Sequence, residues 1–253
     1  MPATLPKPSK DWALFLDVDG TLLDIAVRPD AVEIPRGLPG VLASLDRSLD
    51  HAVALVSGRS IADLDRLFAP LKLAAAGQHG AELRFRAAGS VLARAPSAAL
   101  SAIAKRFRAF AAGRPGVLVE EKGLSLAIHF RSAKDARAEV LREARDALAG
   151  SGDALELLPA RQAVDIKPRA ASKARAVERF MAEAPFRGRV PVFIGDDVTD
   201  EDGFAAAKRL CGHAIRVGVQ GESRAGARLA SPARLRQWLS AAAKALTEKN
   251  ERD

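Results

Sequence analysis

The sequence predicts an α/β protein: a parallel-sheet core made from both ends of the chain, with an α+β domain inserted between them. Short, fully apolar runs such as "WALFLDV" and "HAVALVSG" read as strands buried on both faces. From Glu82 to Lys167 the pattern changes to alternating, half-exposed strands with two amphipathic helices among them. After Arg169 the buried style returns. The expected division is 1–81 and 168–253 for the core, and 82–167 for the insertion.

Met1 to Lys10 is proline-rich and reads as a loose arm. "WALFLDV" is the first strand, and the apolar spacing of "PRGLPGVLASLDRSL" is helical. "HAVALVSG", "SIADLDRLF" and "LKLAAAG" follow as strand, helix and strand. In the insertion, "ELRFR", "VLVEEKG", "SLAIHFR", "LELLPA" and "AVDIKP" alternate as an open antiparallel sheet does. "PSAALSAIAKRFRAFAA" and "AKDARAEVLREARDALAG" supply helices for one face of that sheet. The core then resumes with helix "SKARAVERFMAE", strand "VPVFIGDD", helix "DEDGFAAAKRL", strand "HAIRVG" and a helix through Trp238.

At 253 residues the chain can bury a sizeable core. Its net charge of +8 is spread along helices among Asp and Glu, and it has no tyrosine, which argues against a nucleic-acid surface. The single cysteine, Cys211, excludes an internal disulfide and is expected to be a small buried residue. No apolar run has the length of a signal peptide or a membrane span, so the expected compartment is the cytoplasm, with no membrane partner.

Three buried strands end in polar clusters: Asp17-Val18-Asp19-Gly20-Thr21, Ser57-Gly58-Arg59, and the run Gly195-Asp196-Asp197-Val198-Thr199-Asp200-Glu201-Asp202. In open α/β sheets ligands bind beyond the carboxyl ends of the strands, so the clusters should share one crevice. Taken singly, each has an ordinary reading as a turn, a solvated acidic helix start or, for Lys173, a surface lysine. Their order along the chain favours a site instead. Asp17, Asp19, Asp196 and either Asp197 or Asp200 would crowd it with carboxylates, and such crowding requires a counter-charge. The donors are all hard oxygens, which suits Mg2+. One carboxylate can serve as nucleophile and another, two residues on, as general acid and base. Ser57 and Lys173 can bind the phosphoryl oxygens of a substrate.

These residues resemble the haloacid dehalogenase-like phosphatases. "DVDGTL", "VSGR", the lysine of "SKARAVERF" and "GDDVTDED" match the four motifs of that superfamily in their order, over nearly the whole chain. The resemblance implies a Rossmann-like core with a cap inserted after the second motif. It implies Asp17 as nucleophile, Asp19 as acid and base, and Ser57 and Lys173 as phosphate ligands. It implies Mg2+ held by the carboxylates of Asp17 and Asp196 and the backbone carbonyl of Asp19, with Asp200 in the same set.

"GQHGAE", "VEEKGLSLAIHFR", "VDIKPRAASKARAV" and "PVFIGDDVTDEDGF" more narrowly resemble the trehalose-6-phosphate phosphatases. That implies hydrolysis of trehalose 6-phosphate in trehalose biosynthesis, by a monomer functionally linked to a trehalose-6-phosphate synthase. It implies substrate contacts from Asp17, Val18, Asp19, Arg59, Gln78, His79 and Gly80, and in the cap from Glu120, Lys122, His129 and Arg131. The alternatives are a related phosphatase for sucrose or mannosylglycerate phosphate, or a regulatory domain without activity. Two departures stand out: Ser172-Lys173-Ala174 replaces the family's Asn-Lys-Gly, and Asp165 replaces a glutamate.

Overall fold

Strand β1 (Trp12–Leu16) is buried along its whole length, and its alternate side chains enter two different cores. Trp12, Leu14 and Leu16 face one; Ala13 and Phe15 face the other. That is the consequence of a period-two side-chain repeat in a strand covered on both faces. The computed structural model describes residues 4–25, 32–93, 97–151, 154–159, 162–219 and 221–250.

The chain forms two compact units, Met1–Leu92 with Ser172–Asp253, and Ala93–Ala171. In the first, β1 lies between β2 (Val53–Val56) and β10 (Val190–Gly195). The sheet extends through β3 (Ala74–Gly77) on one side and through β11 (His213–Val217) and β12 (Ala227–Leu229) on the other, all parallel. Helices α1 (Leu38–Ser48), α2 (Ile61–Leu67) and α7 (Pro232–Asn250) send buried leucines and Ile61 into the core that holds Leu14. Helices α5 (Lys173–Met181) and α6 (Asp200–Arg209) cover the other face, where Phe180 and Phe186 lie 5.8 and 5.5 Å from Phe15. The chain leaves β1 toward β3 and later returns on its opposite side through β10. The strand order therefore reverses at β1, the position where open sheets form a ligand crevice.

Two expectations need correction here. Strand β4 (Glu82–Arg84), expected in the inserted sheet, pairs antiparallel with β3 in the core sheet, and the short β5 (Leu92–Ala93) follows it at the edge. Arg84 holds it there: its guanidinium donates to both carboxylate oxygens of Asp65 at 2.6 Å and to the Leu73 carbonyl. Alternation marks a strand with one open face, and a core-edge strand has that pattern as well. Cys211, expected to be buried, is exposed just past α6, with φ +59°. Trp12 and Trp238 do pack together, with ring centroids 5.9 Å apart.

The second unit is a four-stranded antiparallel sheet in the order β6 (Leu118–Glu121), β7 (Leu126–His129), β9 (Ala163–Pro168), β8 (Leu155–Pro159). Helices α3 (Ala98–Ala112) and α4 (Arg137–Ala149) share its core with Ile128, Val164 and Ile166. Register places Glu120, Ala127 and Asp165 side by side on the opposite face. Among the described residues no helix is long and apolar enough to cross a membrane.

Candidate active site

Asp17 follows β1 directly and is 5% exposed. Its backbone N–H donates to Ile194 O at 2.9 Å, which continues the sheet one residue past the strand and fixes the side chain at the crevice. Gly20 turns the chain at φ +83°, and a Cβ there would stand 2.2 Å from Asp196 Oδ2. Only glycine allows both the turn and the close approach of the two acidic loops.

Lys173 is the first residue of α5, and its Nζ donates to Asp17 Oδ1 at 2.7 Å and to Asp200 Oδ1 at 2.6 Å. Ser172 caps this helix, its hydroxyl accepting the Arg175 N–H at 3.2 Å. This accounts for one departure from the family pattern: serine caps about as well as asparagine, and alanine in the first turn favours helix over glycine. Asp200 Oδ2 accepts the N–H groups of Asp196 and Asp197 at 3.0 and 2.9 Å and so closes the acidic loop. Thr21 Oγ1 lies 2.8 Å from Asp17 Oδ2 and 3.0 Å from Asp196 Oδ1 and donates its one proton to one of them at a time. The sequence reading assigned Thr21 no role. The available signal was a hydroxyl residue closing a turn that carries two like charges.

One carboxylate oxygen from each of Asp17, Asp196 and Asp200 lies within 4.8 Å of the others. Of the two open alternatives Asp200 joins this group, while Asp197 is exposed. Burial, and next the charge of Asp200, pushes Asp17 up to about 7; burial, and next the charge of Asp17, does the same to Asp196. Asp200 is raised chiefly by burial. Burial pulls Lys173 down, but the charges of Asp17 and Asp200 outweigh it and hold the ammonium charged. With all three carboxylates ionised, one ammonium would leave two net negative charges in a cluster where Asp17 and Asp200 are buried and Asp196 is partly buried.

Asp19 sits apart from this cluster. Arg59 Nε and Nη2 donate to its two carboxylate oxygens, both at 2.7 Å. Ser57 is 1% exposed, and its Oγ accepts the Arg59 N–H at 3.1 Å. Val18 is buried in the core beside Leu16, so any contact it offers a ligand comes from its backbone. Gln78 and His79 are 1% and 7% exposed, and Gly80 follows at φ +97°.

In the second unit, His129 Nε2 lies 2.8 Å from Glu120 Oε2, and Lys122 Nζ lies 3.6 Å from Asp165 Oδ1. The hydrogen bond from His129 holds Glu120 below the usual carboxylate range. Asp165, the second departure, thus stands beside Lys122 on the polar face of the sheet. Arg131 lies two residues past the end of β7.

The chain resembles known proteins over most of its length. The family description "Trehalose-phosphatase" matches residues 15–233. The trehalose-6-phosphate phosphatase of Escherichia coli K12 is 38% identical over 97% of this chain and 92% of its own length. A probable trehalose-phosphate phosphatase of Sinorhizobium fredii is 42% identical over 82% and 78%. The structure of the C-terminal domain of Candida albicans trehalose-6-phosphate phosphatase superposes with a TM-score of 0.80 at 20% identity, covering 96% of this chain and 99% of that one, and shares the fold. The chain is a phosphatase of the haloacid dehalogenase-like fold and belongs to the trehalose-phosphatase family.

Proposed function

We propose that this chain hydrolyses trehalose 6-phosphate to trehalose and phosphate, with Mg2+, through an aspartyl-phosphate on Asp17. The observation that carries the reading is Asp17 itself, buried at the crevice with Lys173 Nζ on one oxygen and Thr21 on the other.

A divalent cation fits the residues present. The donors are carboxylate oxygens, they converge, and with all three ionised they hold two negative charges without compensation. Asp17 and Asp196, with the Asp19 carbonyl, would hold it. Asp200 belongs to the same set, its carboxylate anchored by Lys173 and by two backbone N–H groups. When bound, the cation offsets charge on the phosphoryl oxygens and keeps Asp17 ionised.

Asp17 attacks phosphorus, an O–P bond forms, and the ester O–P bond to the sugar breaks. Asp19 gives its proton to the departing sugar oxygen. Asp19 then takes a proton from water, whose oxygen attacks the same phosphorus; phosphate leaves and Asp17 is restored. To carry that proton Asp19 has to free one oxygen from Arg59, so opening of this pair belongs to the reaction cycle. Lys173 and Ser57 steady the phosphoryl group, and the polar face bearing Glu120, Lys122 and His129 reads the sugar. In this reading the substrate is supplied by a trehalose-6-phosphate synthase, and the enzyme acts as a cytoplasmic monomer.

Phosphate release from a panel of sugar phosphates, with and without Mg2+, tests the assignment. Preference for trehalose 6-phosphate with metal present is expected. Equal rates on sucrose phosphate, or none on any substrate, would overturn it.

A further inference from the structure

We propose that Glu82 is a positioning residue for the phosphate-binding side of the site and acts through the Gln78-His79-Gly80 turn. The inference rests on the phosphatase reading above and adds to it a residue for which that reading has no use.

The turn is unusual. Gln78, His79 and Gly80 have φ of +47, +58 and +97° in succession, and only the last is a glycine. Left-handed residues with side chains persist where the surroundings over-determine them. Here the Gln78 N–H donates to Arg59 O at 2.8 Å, and the His79 N–H donates to Ser57 O at 2.9 Å. The turn is thus bonded to the backbone of the loop that carries Ser57 and Arg59. On its other side, a Cβ on Gly80 would come within 2.8 Å of the Ser172 carbonyl, at the cap of the helix that begins with Lys173. The turn therefore lies between the two elements that present phosphate ligands and sets the spacing of their backbones.

Glu82 holds the turn from β4. Its Oε1 accepts from Gln78 Nε2 at 2.5 Å, and its Oε2 accepts the Ile61 N–H at 2.7 Å, at the end of the loop begun by Ser57. A Cβ on Gly77 would stand 2.6 Å from that same Oε2, so the chain has made room for the carboxylate to pass. The Gln78 side-chain amide is turned inward onto Glu82 at 1% exposure. We accordingly assign Gln78 to setting the turn, in place of the substrate contact expected from the sequence.

Two variants of the full chain test this. Glu82→Ala removes both bonds. Glu82→Gln keeps an acceptor for the Ile61 N–H and can still pair with Gln78 once the Gln78 amide turns over. The readouts are kcat and KM on trehalose 6-phosphate and on a small aryl phosphate, the affinity for inorganic phosphate by calorimetry, and the melting temperature. Glu82→Ala should weaken phosphate binding and raise KM for both substrates by about tenfold, as expected when binding groups shift by a fraction of an ångström. Glu82→Gln should stay within about threefold of wild type. A purely structural role would instead lower kcat with the folded fraction and leave phosphate affinity unchanged, and that result would overturn the proposal. Should Glu82→Ala fail to fold, Gln78→Ala removes the bond to Gln78 and leaves the Glu82–Ile61 bond in place, and it carries the same expectation for phosphate affinity. A wild-type protein that binds phosphate but hydrolyses neither substrate would refute the phosphatase reading, while the calorimetry still decides the role of Glu82.

Discussion

The two polar regions of this chain are built in opposite ways. Asp17, Lys173 and Asp200 are buried together, with Lys173 bonded to both carboxylates: Lys173 and Asp200 are 4% and 0% exposed. On the polar face of the inserted sheet, Glu120, Lys122, His129 and Asp165 also interact; His129 and Glu120 keep side-chain exposures of 28% and 39%, and Lys122 and Asp165 keep 13% each. Burial makes the first set dependent on its members, because an unpaired charge there has no water to turn to. Solvent makes the Glu120–His129 pair of the second set the more tolerant one. The difference suits a division of labour in which one region handles the phosphoryl group common to every phosphomonoester and the other handles what varies.

Substitutions in the first region should therefore have the largest effects. Asp17→Asn should bring turnover below about 1% of wild type on any substrate, since an amide cannot form the acyl-phosphate. It should still fold, because the amide oxygen can accept from Lys173. Rates on trehalose 6-phosphate and on an aryl phosphate should fall together; survival of either would break the comparison at its base. Lys173→Ala should cost both activity and stability. It leaves Asp17 and Asp200 buried without a cation, a change worth about 3–5 kcal/mol in unfolding free energy. Urea denaturation of the two variants side by side separates them: a large loss for Lys173→Ala and a small one for Asp17→Asn.

Much of this contrast was legible in the sequence, for a physical reason. A buried strand that ends in Asp-x-Asp has few explanations, and four such signals in order constrain one another. The continuous apolar runs marked strands buried on both faces of a parallel sheet. What escaped was what depends on tertiary pairing. Strand β4 reads like the inserted strands because alternation reports one solvent face and says nothing about which sheet supplies the other. Thr21 escaped because a threonine after Asp-Gly is an ordinary turn residue until two carboxylates are found on its hydroxyl. The Arg59–Asp19 pair joins loops 40 residues apart, beyond the reach of any local pattern.

The raised pKa values of the buried carboxylates sharpen the comparison further. Asp17 and Asp196 are pushed from 3.8 up to about 7. The folded chain then binds more protons than the unfolded chain between about pH 4 and 7, so metal-free stability falls as pH rises through that window. In the proposed reading Mg2+ would replace those protons, and its stabilising effect should be larger at pH 8 than at pH 5. Melting temperatures with Mg2+ and with a chelator across this range check the sign. Asp196→Asn should flatten the metal-free slope. A metal-free melting temperature that Asp196→Asn leaves with the same pH dependence would remove this carboxylate from the account.

The smallest effects are expected in the inserted unit, and they carry the most information about the substrate. His129 and Glu120 share a hydrogen bond, and Lys122 lies 3.6 Å from Asp165, so each group already has a partner that a sugar hydroxyl would have to share or displace. The net gain per contact is then modest: about 0.5–1.5 kcal/mol for a neutral hydrogen bond and up to about 3 for a charged one. Lys122→Ala and His129→Ala should leave the fold intact, since Ile128, Val164 and the helices hold the sheet from its other face. Each should lower kcat/KM on trehalose 6-phosphate by roughly two- to 160-fold, the range those energies imply. Activity on a small aryl phosphate, which has no sugar for these side chains to meet, should stay within about twofold of wild type. Parallel loss on both substrates would mean that this face supports catalysis in general, and the separation between a region for the phosphoryl group and a region for the sugar would fail.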